Sequence, residues 1–551
     1  MPRSTSPPST SKRTKLTSDA TETNATQTTS SNGTTASSSL SFANGSNGLE
    51  ATMLPVSKKV GQKGKSRKRK IKPVESGGLE DTMFREALYL LGTDMVYTAI
   101  EDGRDYYERF GRLEEIELEV IAMSSHGEGL AVPAEKDWIV AVPFCIPGER
   151  VLARVHRNDR LHSYADLVEV LRCTEDKENW RDDARIQCKY FGKCSGCQYQ
   201  MLSYERQLLL KQDVVRKAYA NFSGLTPSLV PEVQDTLPSP RQYGYRTKLT
   251  PHFDQPTMQT RINDGRDLQI GFQQKGRRAV MDIEDCPIGT QAINAEMKNA
   301  RAEVRRTLSN FKRGATLLLR DSLRTDIPID EQIEADTEVD EVHVCIKDHN
   351  AAVRERVADK FFTFQANSFF QNNNGILSSL VQCIRDLLPR QEGERCLVDA
   401  YCGSGLFSIT LAECFKKVAG IEISGKPEFR SSKNRVLMLL ESIAESIKYA
   451  KLNAQLNGLR NVEFVTGSAE AIFEGLAFPA NETTVLIDPP RKGCDERFLR
   501  QLLAYTPARI ARDVGYLLKE SEQGYTLDSI RGCDLFPQTY HVESLAVLSK
   551  A

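Results

Sequence analysis

The residues able to do chemistry in this chain of 551 amino acids fall in a few short stretches. The first is Val398-Asp399-Ala400-Tyr401-Cys402-Gly403-Ser404-Gly405-Leu406-Phe407-Ser408-Ile409. It reads as an apolar strand, a glycine turn and a helix, because Leu406, Phe407, Ile409 and Leu411 fit helical spacing better than alternation. Glycines at 403 and 405 let the backbone turn tightly and let a ligand approach it closely. Val418-Ala419-Gly420-Ile421-Glu422 reads as a second strand that ends in an acid, 17 residues past Gly405. A carboxylate at about that spacing meets ribose hydroxyls in nucleotide-binding βαβ units.

The pattern is G-x-G-x-x-S, without the third glycine of a dinucleotide fingerprint. That argues for a nucleoside ligand lacking a pyrophosphate, such as S-adenosylmethionine. An ordinary strand-turn-helix of a parallel sheet is the plain alternative. The second stretch is Thr484-Val485-Leu486-Ile487-Asp488-Pro489-Pro490-Arg491-Lys492-Gly493. Two prolines stop the strand, so Asp488 is held at its carboxyl end, where open α/β sheets bind ligands. Acid-Pro-Pro turns at that edge are common in enzymes that methylate a ring atom of a nucleobase. Here the plain alternative is a strand-ending turn.

The third stretch is a cysteine cluster. Cys188, Cys194 and Cys197 form C-x5-C-x2-C on a glycine-bearing loop. Three is one short of a full set; Cys286, in Glu284-Asp285-Cys286-Pro287, offers a fourth thiol, which the spacing alone does not bring to the others. Four soft ligands suit zinc or an iron–sulfur cluster. Buried, unligated thiols are the other reading. His162 and His252 flank the region without ligand spacing.

These residues need elements to hold them, and composition sets the frame. Net charge is −1 with 73 basic and 74 acidic residues, so no global basic field announces nucleic acid. Thirteen cysteines and no secretory signal imply an intracellular setting with reduced or metal-bound thiols. No apolar run approaches the roughly 18 residues of a membrane span. Residues 1–80 read as a disordered tail, rich in Ser, Thr, Asn and Gly, with basic residues from Lys58 to Lys72. That run reads as a nuclear address, an RNA-attracting arm or a solvated linker, and slightly favours the nucleus.

Met83 to Phe110 reads as helical. Then Ile116–Val120, Trp138–Val142, Glu149–Val155 and Ala165–Leu171 alternate as short strands. They suggest a small β-barrel over 112–173 that resembles the TRAM domain, an RNA-binding barrel. A central segment, 174–349, carries the cysteines. An α/β Rossmann-like methyltransferase domain spans 350–551.

With these pieces in view, the chain from about residue 112 onward resembles the RNA 5-methyluridine methyltransferase family, in its eukaryotic, fungal-type transfer-RNA branch. The resemblance implies methyl transfer from S-adenosylmethionine to carbon 5 of the T-loop uridine, uridine 54. A ribosomal-RNA uridine methyltransferase and an inactive RNA-binding protein are the rival readings. It implies a 4Fe–4S cluster on Cys188, Cys194, Cys197 and Cys286. It implies RNA-facing Tyr245, Arg246 and Lys248, in Tyr245-Arg246-Thr247-Lys248. Gln371, in Phe369-Phe370-Gln371-Asn372, with Tyr401, Glu422 and Asp488, falls on donor-contacting positions. Phe536-Pro537-Gln538-Thr539-Tyr540-His541-Val542-Glu543-Ser544 matches the family's closing motif, and the resemblance implies that Glu543 is the base. In the family's chemistry a cysteine thiolate adds to carbon 6, carbon 5 takes the methyl group, and the carboxylate removes its proton. The base must first leave the T-loop stack. A transfer RNA is the implied partner; no stable protein partner follows, and a monomer is expected.

The chain departs from the family in two places. The family's nucleophile lies on a strand reading roughly Val-Tyr-Val-Ser-Cys-Asn, after the helix that follows Asp-Pro-Pro-Arg. Here Pro507-Ala508-Arg509-Ile510 runs directly into Ala511-Arg512-Asp513-Val514. Ile510, Val514, Leu517 and Leu518 then read as one helix, so strand and thiol are both missing. Cys494 is a weak substitute, and Cys533 does not match the position either. A basic segment from Gly425 to about Glu441 reads as inserted before a helix over Ser442 to Gly458. The hypothesis that coding segments are misjoined is tested by sequencing the transcript across both places; a transcript encoding this same sequence ends it.

Overall fold

A computed structural model describes residues 74, 76–172, 180–255, 268–326, 341–388, 395–424, 433–468, 472–473, 476–490, 493–494, 496–511 and 524–550. Residues 1–73 of the tail, with the basic run Lys58 to Lys72, and Arg491, Lys492, Val514, Leu517 and Leu518 lie outside them, while the tail's last two residues, Leu79 and Glu80, open a helix. Helices α1 (Leu79–Leu91) and α2 (Thr93–Glu101) lay Met83, Phe84, Ala87, Val96 and Ala99 against Trp138, Ile139 and Leu161. Those three belong to a closed barrel or its connections. Its strands are β1 (Glu115–Met123), β2 (Glu128–Ala131), β3 (Ile139–Pro143), β4 (Arg150–Asp159) and β5 (His162–Arg172), in the order β1-β2-β3-β5-β4. Alternation sends Leu118, Val120, Val151, Ala153 and Val155 into the barrel's interior. The four expected strands are there. The fifth, β2, starts inside Gly127-Glu128-Gly129, which reads as a turn between the first two of them.

The central segment opens with α3 (Tyr204–Phe222), whose first turn is capped by the Ser203 hydroxyl. Strand β6 (Val233–Leu237) follows. Then come β7 (Lys248–Leu249), β8 (His252–Asp254), β9 (Gly271–Gln273), β10 (Val280–Asp282), α4 (Gln291–Thr307), β11 (Gly314–Thr316), β12 (Leu319–Leu323) and β13 (His343–Ile346). They make two small sheets, β10-β9-β8-β11 and β13-β12-β7. A hairpin of β14 (Ala352–Val357) and β15 (Lys360–Gln365) leads to α5 (Leu377–Leu387).

The rest is a doubly covered sheet. In chain order its elements are β16 (Cys396–Ala400), α6 (Leu406–Thr410), β17 (Lys417–Ser424), α7 (Lys433–Leu456), β18 (Val462–Ser468), β19 (Thr483–Ile487), α8 (Glu496–Tyr505), β20 (Arg509–Ala511), β21 (Tyr525–Cys533) and β22 (Glu543–Lys550). The strand order is β18-β17-β16-β19-β20-β22-β21-β6. Strands β16 and β19 are buried along their whole length, as expected when both faces are covered. On one face Leu397, Leu486, Ala511, Cys533 and Leu545 meet α5, α6 and α7. On the other, Val398, Ala400, Val485, Ile487, Ile510 and Leu548 meet α8 and Val215 of α3.

Three expectations change. Ile510 lies in strand β20, paired with Val485 on one side and Leu548 on the other, rather than opening a helix. Hydrogen bonding to both neighbours outweighs the helical spacing of its apolar residues. Helix α7 begins at Lys433, so it runs back through part of the segment read as an insert. Strand β6 comes from the expected central segment yet pairs in parallel with β21 as the edge of the large sheet.

Candidate active site

Strand order reverses between β16 and β19, and their carboxyl ends form the crevice where open α/β sheets take ligands. The Asp488 N–H donates to the Ala400 carbonyl at 3.3 Å, which draws the two ends together. Tyr401 is driven to φ 65°, and its N–H donates to Ile421 O at 2.8 Å. Gly403 and Gly405 have φ 54° and 90°, a region that favours glycine. A Cβ on Gly405 would also stand 2.9 Å from the Phe464 ring. The turn's Gly403 N–H donates to Glu422 Oε2 at 2.8 Å. Gln371 Nε2 lies 3.5 Å from Asp488 Oδ2. The six residues read as donor-contacting therefore share one sheet edge. Burial raises the Glu422 carboxyl, and the Gly403 N–H pulls it back.

Beneath the turn, Asp399 is fully buried and accepts from the Ser408 N–H at 2.8 Å and the Ser408 hydroxyl at 2.5 Å. Burial pushes it up to about 7, against the Ser408 hydrogen bonds, with Asp488 and Glu422 adding to the rise. The folded state thus keeps a proton that the unfolded chain releases near the ordinary carboxylate value. Stability from this group falls as pH rises between those two values. Urea unfolding at about pH 5 and about pH 7.5 is expected to show that fall, and Asp399→Asn to shrink it. Glu355, raised by burial to about 7, has the same sign, so the difference shrinks without vanishing.

Glu543 begins β22 and lines a mostly apolar cavity with Leu380, Ile384, Phe407, Leu486 and Ala511. The cavity lies beside Ala511, the last residue of β20 among those described. Strand β20 pairs with only Thr484 to Leu486 of β19 and Val547 to Ser549 of β22. Cys494 packs against the opposite face of the sheet, with Tyr401 and Phe498. Cys533 sits across from Glu543 in register and lines the same cavity, but is buried. Among the described residues, the short β20 carries no cysteine.

The loop leading to Glu543 is gripped by groups that sequence reasoning missed. Lys211 Nζ donates to Asp534 and, at 2.9 Å, to Phe536 O. Tyr204 donates to Asp534 at 2.9 Å. Gln207 and Gln538 exchange hydrogen bonds of 3.1 and 3.0 Å. The visible signal is a stripe of hydrogen-bonding side chains at 204, 207 and 211 on one face of α3. Tyr245 is 3 % exposed, and its hydroxyl donates to Pro537 O at 3.0 Å, so it holds this loop. Its phenol finds a buried carbonyl, which the Tyr-Arg-x-Lys spacing does not reveal. Arg246 donates to Lys248 O at 3.2 Å. Lys248 Nζ donates to Asn367 O and Ser368 O, beside Phe369, which is 73 % exposed.

Cys188, Cys194, Cys197 and Cys286 are all free thiols. Burial, followed by the neighbouring Cys286, pushes Cys197 up to about 12. Cys286 in turn feels Cys188 and Cys194. The donors suit a soft metal centre in type. Among the described residues, no group of three or more His, Cys, Asp and Glu side chains is drawn close enough to hold an ion. The loop has a second connection: the Gln198 and Tyr199 N–H groups, next to Cys197, donate to Gln538 O at 2.9 and 3.1 Å.

The family model described as tRNA (Uracil-5-)-methyltransferase matches residues 304–551. A Schizosaccharomyces pombe protein named tRNA (uracil(54)-C(5))-methyltransferase is 43 % identical over 88 % of this chain and 86 % of its own length. A Saccharomyces cerevisiae protein of the same name is 37 % identical over 79 % of this chain and 73 % of its own. In fold, the chain is similar to the Pyrococcus abyssi tRNA (uracil-54, C5)-methyltransferase solved with S-adenosyl-L-homocysteine. The TM-score is 0.51 at 21 % identity, covering 79 % of this chain and all of that one. Among the described residues, no helix is long and apolar enough to cross a membrane. The chain belongs to the tRNA (uracil-5-)-methyltransferase family.

Proposed function

We propose that this protein binds S-adenosylmethionine in the crevice between β16 and β19 and presents it to carbon 5 of uridine 54 in transfer RNA. The observation that carries this reading is one sheet edge holding Gln371, Tyr401, Gly403, Gly405, Glu422 and Asp488, with Glu543 at the start of a nearby strand of the same sheet. When bound, the donor supplies an electrophilic methyl group on its sulfonium. Glu422 accepts the ribose hydroxyls, and the bare backbone at Gly403 leaves room for the rest of the nucleoside. Gln371 and Asp488 bound the opposite side. In an adduct with a thiolate on carbon 6 and the methyl group on carbon 5, Glu543 would take the proton from carbon 5 as the thiolate leaves. Arg246 and Lys248 contact RNA near the crevice, where exposed Phe369 offers an aromatic face.

Calorimetry with S-adenosylhomocysteine is expected to give roughly tenfold weaker binding for Glu422→Ala, the scale of one hydrogen bond to a charged group. Unchanged affinity removes Glu422 from the site. Mass analysis of T-loop uridine in cells lacking the gene tests the substrate, and loss of 5-methyluridine from ribosomal RNA instead points to the rival target.

We also propose that Cys188, Cys194, Cys197 and Cys286 close around a structural 4Fe–4S cluster that stiffens the loop donating to Gln538. Iron and zinc assays after anaerobic purification decide between iron, zinc and free thiols. A second reading, an RNA-binding protein that transfers nothing, is favoured by one observation: among the described residues, β20 spans Arg509–Ala511 and carries no thiol.

A further inference from the structure

The segment that carries Gln371 is anchored by a charge that plays no part in the reading above. Arg320 of β12 is fully buried. Its guanidinium donates to Glu355 Oε1 at 3.0 Å and to Asn372 Oδ1 at 3.3 Å. It also lies 4.8 Å over the Phe364 ring, which stacks on Phe370 at 4.4 Å and 9°. Asn372 and Phe370 are the two neighbours of Gln371. The Asn372 carbonyl is held separately, by the Thr247 N–H at 2.8 Å and the Thr247 hydroxyl at 3.3 Å. Gln371 itself has one described side-chain contact, at 3.5 Å to Asp488. Its placement is thus set by its neighbours more than by its own bonds.

We propose that Arg320 is a positioning residue for donor binding: by fixing Phe370 through Phe364, and Asn372 directly, it aims Gln371 at the crevice from within the central core. This rests on the reading that Gln371 contacts the donor. A lone buried ion pair is often replaceable by apolar groups without loss of stability. Arg320 does something an apolar pair cannot, because its second N–H arm reaches a side chain on a different segment.

The test is a double-mutant cycle read by S-adenosylhomocysteine calorimetry, with thermal unfolding alongside. Asn372→Ala keeps the Arg320–Glu355 pair and is expected to weaken binding by roughly five- to tenfold, with little change in unfolding temperature. Asn372→Asp restores an acceptor and is expected to recover most of the affinity. Arg320→Met with Glu355→Leu removes both charges and weakens binding by a similar factor. Adding Asn372→Ala to that pair is then expected to do nothing more, since residues acting through one contact are not additive. Additive losses overturn the proposal, because Asn372 would then act without Arg320. So does unchanged binding in Asn372→Ala. If the unaltered chain binds no donor analogue, the donor reading falls and the proposal falls with it.

Discussion

The chain as written is expected to transfer no methyl group to transfer RNA. A version with Val-Tyr-Val-Ser-Cys-Asn inserted after Ile510 is expected to do so, and the same insert with serine in place of cysteine is not. The reason is local. Strand β20 spans three residues between a five-residue and an eight-residue neighbour, and the cavity at its end is faced by Glu543 and Ala511. Carbon 5 of uracil is a poor nucleophile until a thiolate adds to carbon 6. Losing the nucleophile of a covalent catalyst lowers turnover by roughly 10⁶-fold in a well-studied protease, far below what a radiolabelled methyl assay detects. The serine insert fills the same space and separates packing from chemistry. Equal activity of the two inserts sinks the argument. Activity in the unaltered chain sinks it too, and would direct attention to Cys533, the thiol opposite Glu543 in register.

The second large effect is on stability. Lys211 and Asp534 are both fully buried and paired across α3 and the closing loop. Burial pulls Lys211 down from its ordinary range, and Asp534 pushes it back. Lys211→Met strands the carboxylate, and removing one partner of a buried pair costs about 3–5 kcal/mol. Lys211→Met with Asp534→Asn removes both charges and keeps one oxygen to accept from the Phe536 N–H, with the amide NH2 taking the place of the oxygen that faces Tyr204. It is expected to recover more than half of the loss in urea unfolding. A Lys211→Met chain as stable as the parent rules out a structural role for the pair.

Sequence pattern reaches the crevice because its signals are local. A glycine turn needs φ values that favour glycine, and two prolines end a strand wherever they stand. The barrel's alternation is local too, so four of its five strands are legible. What escapes depends on partners distant in the chain. Tyr245 carries the right neighbours for an RNA-facing strand, but a carbonyl at Pro537 buries it. Ile510 fits a helical period, but lies between Val485 and Leu548 in the sheet. Nothing near Arg320 announces that Asn372 will be beside it.

Strand β6 carries a consequence for how the molecule is made. Val233 pairs with Ile530, about 300 positions later. At about 5–20 residues per second, β6 leaves the ribosome roughly 15–60 seconds before its partner exists. For that interval one side of α3 has nothing to rest on, and an unpaired strand edge is open to wrong partners and to proteases. Nascent chains stalled short of residue 525 should therefore be nicked near β6, and full-length chains should not.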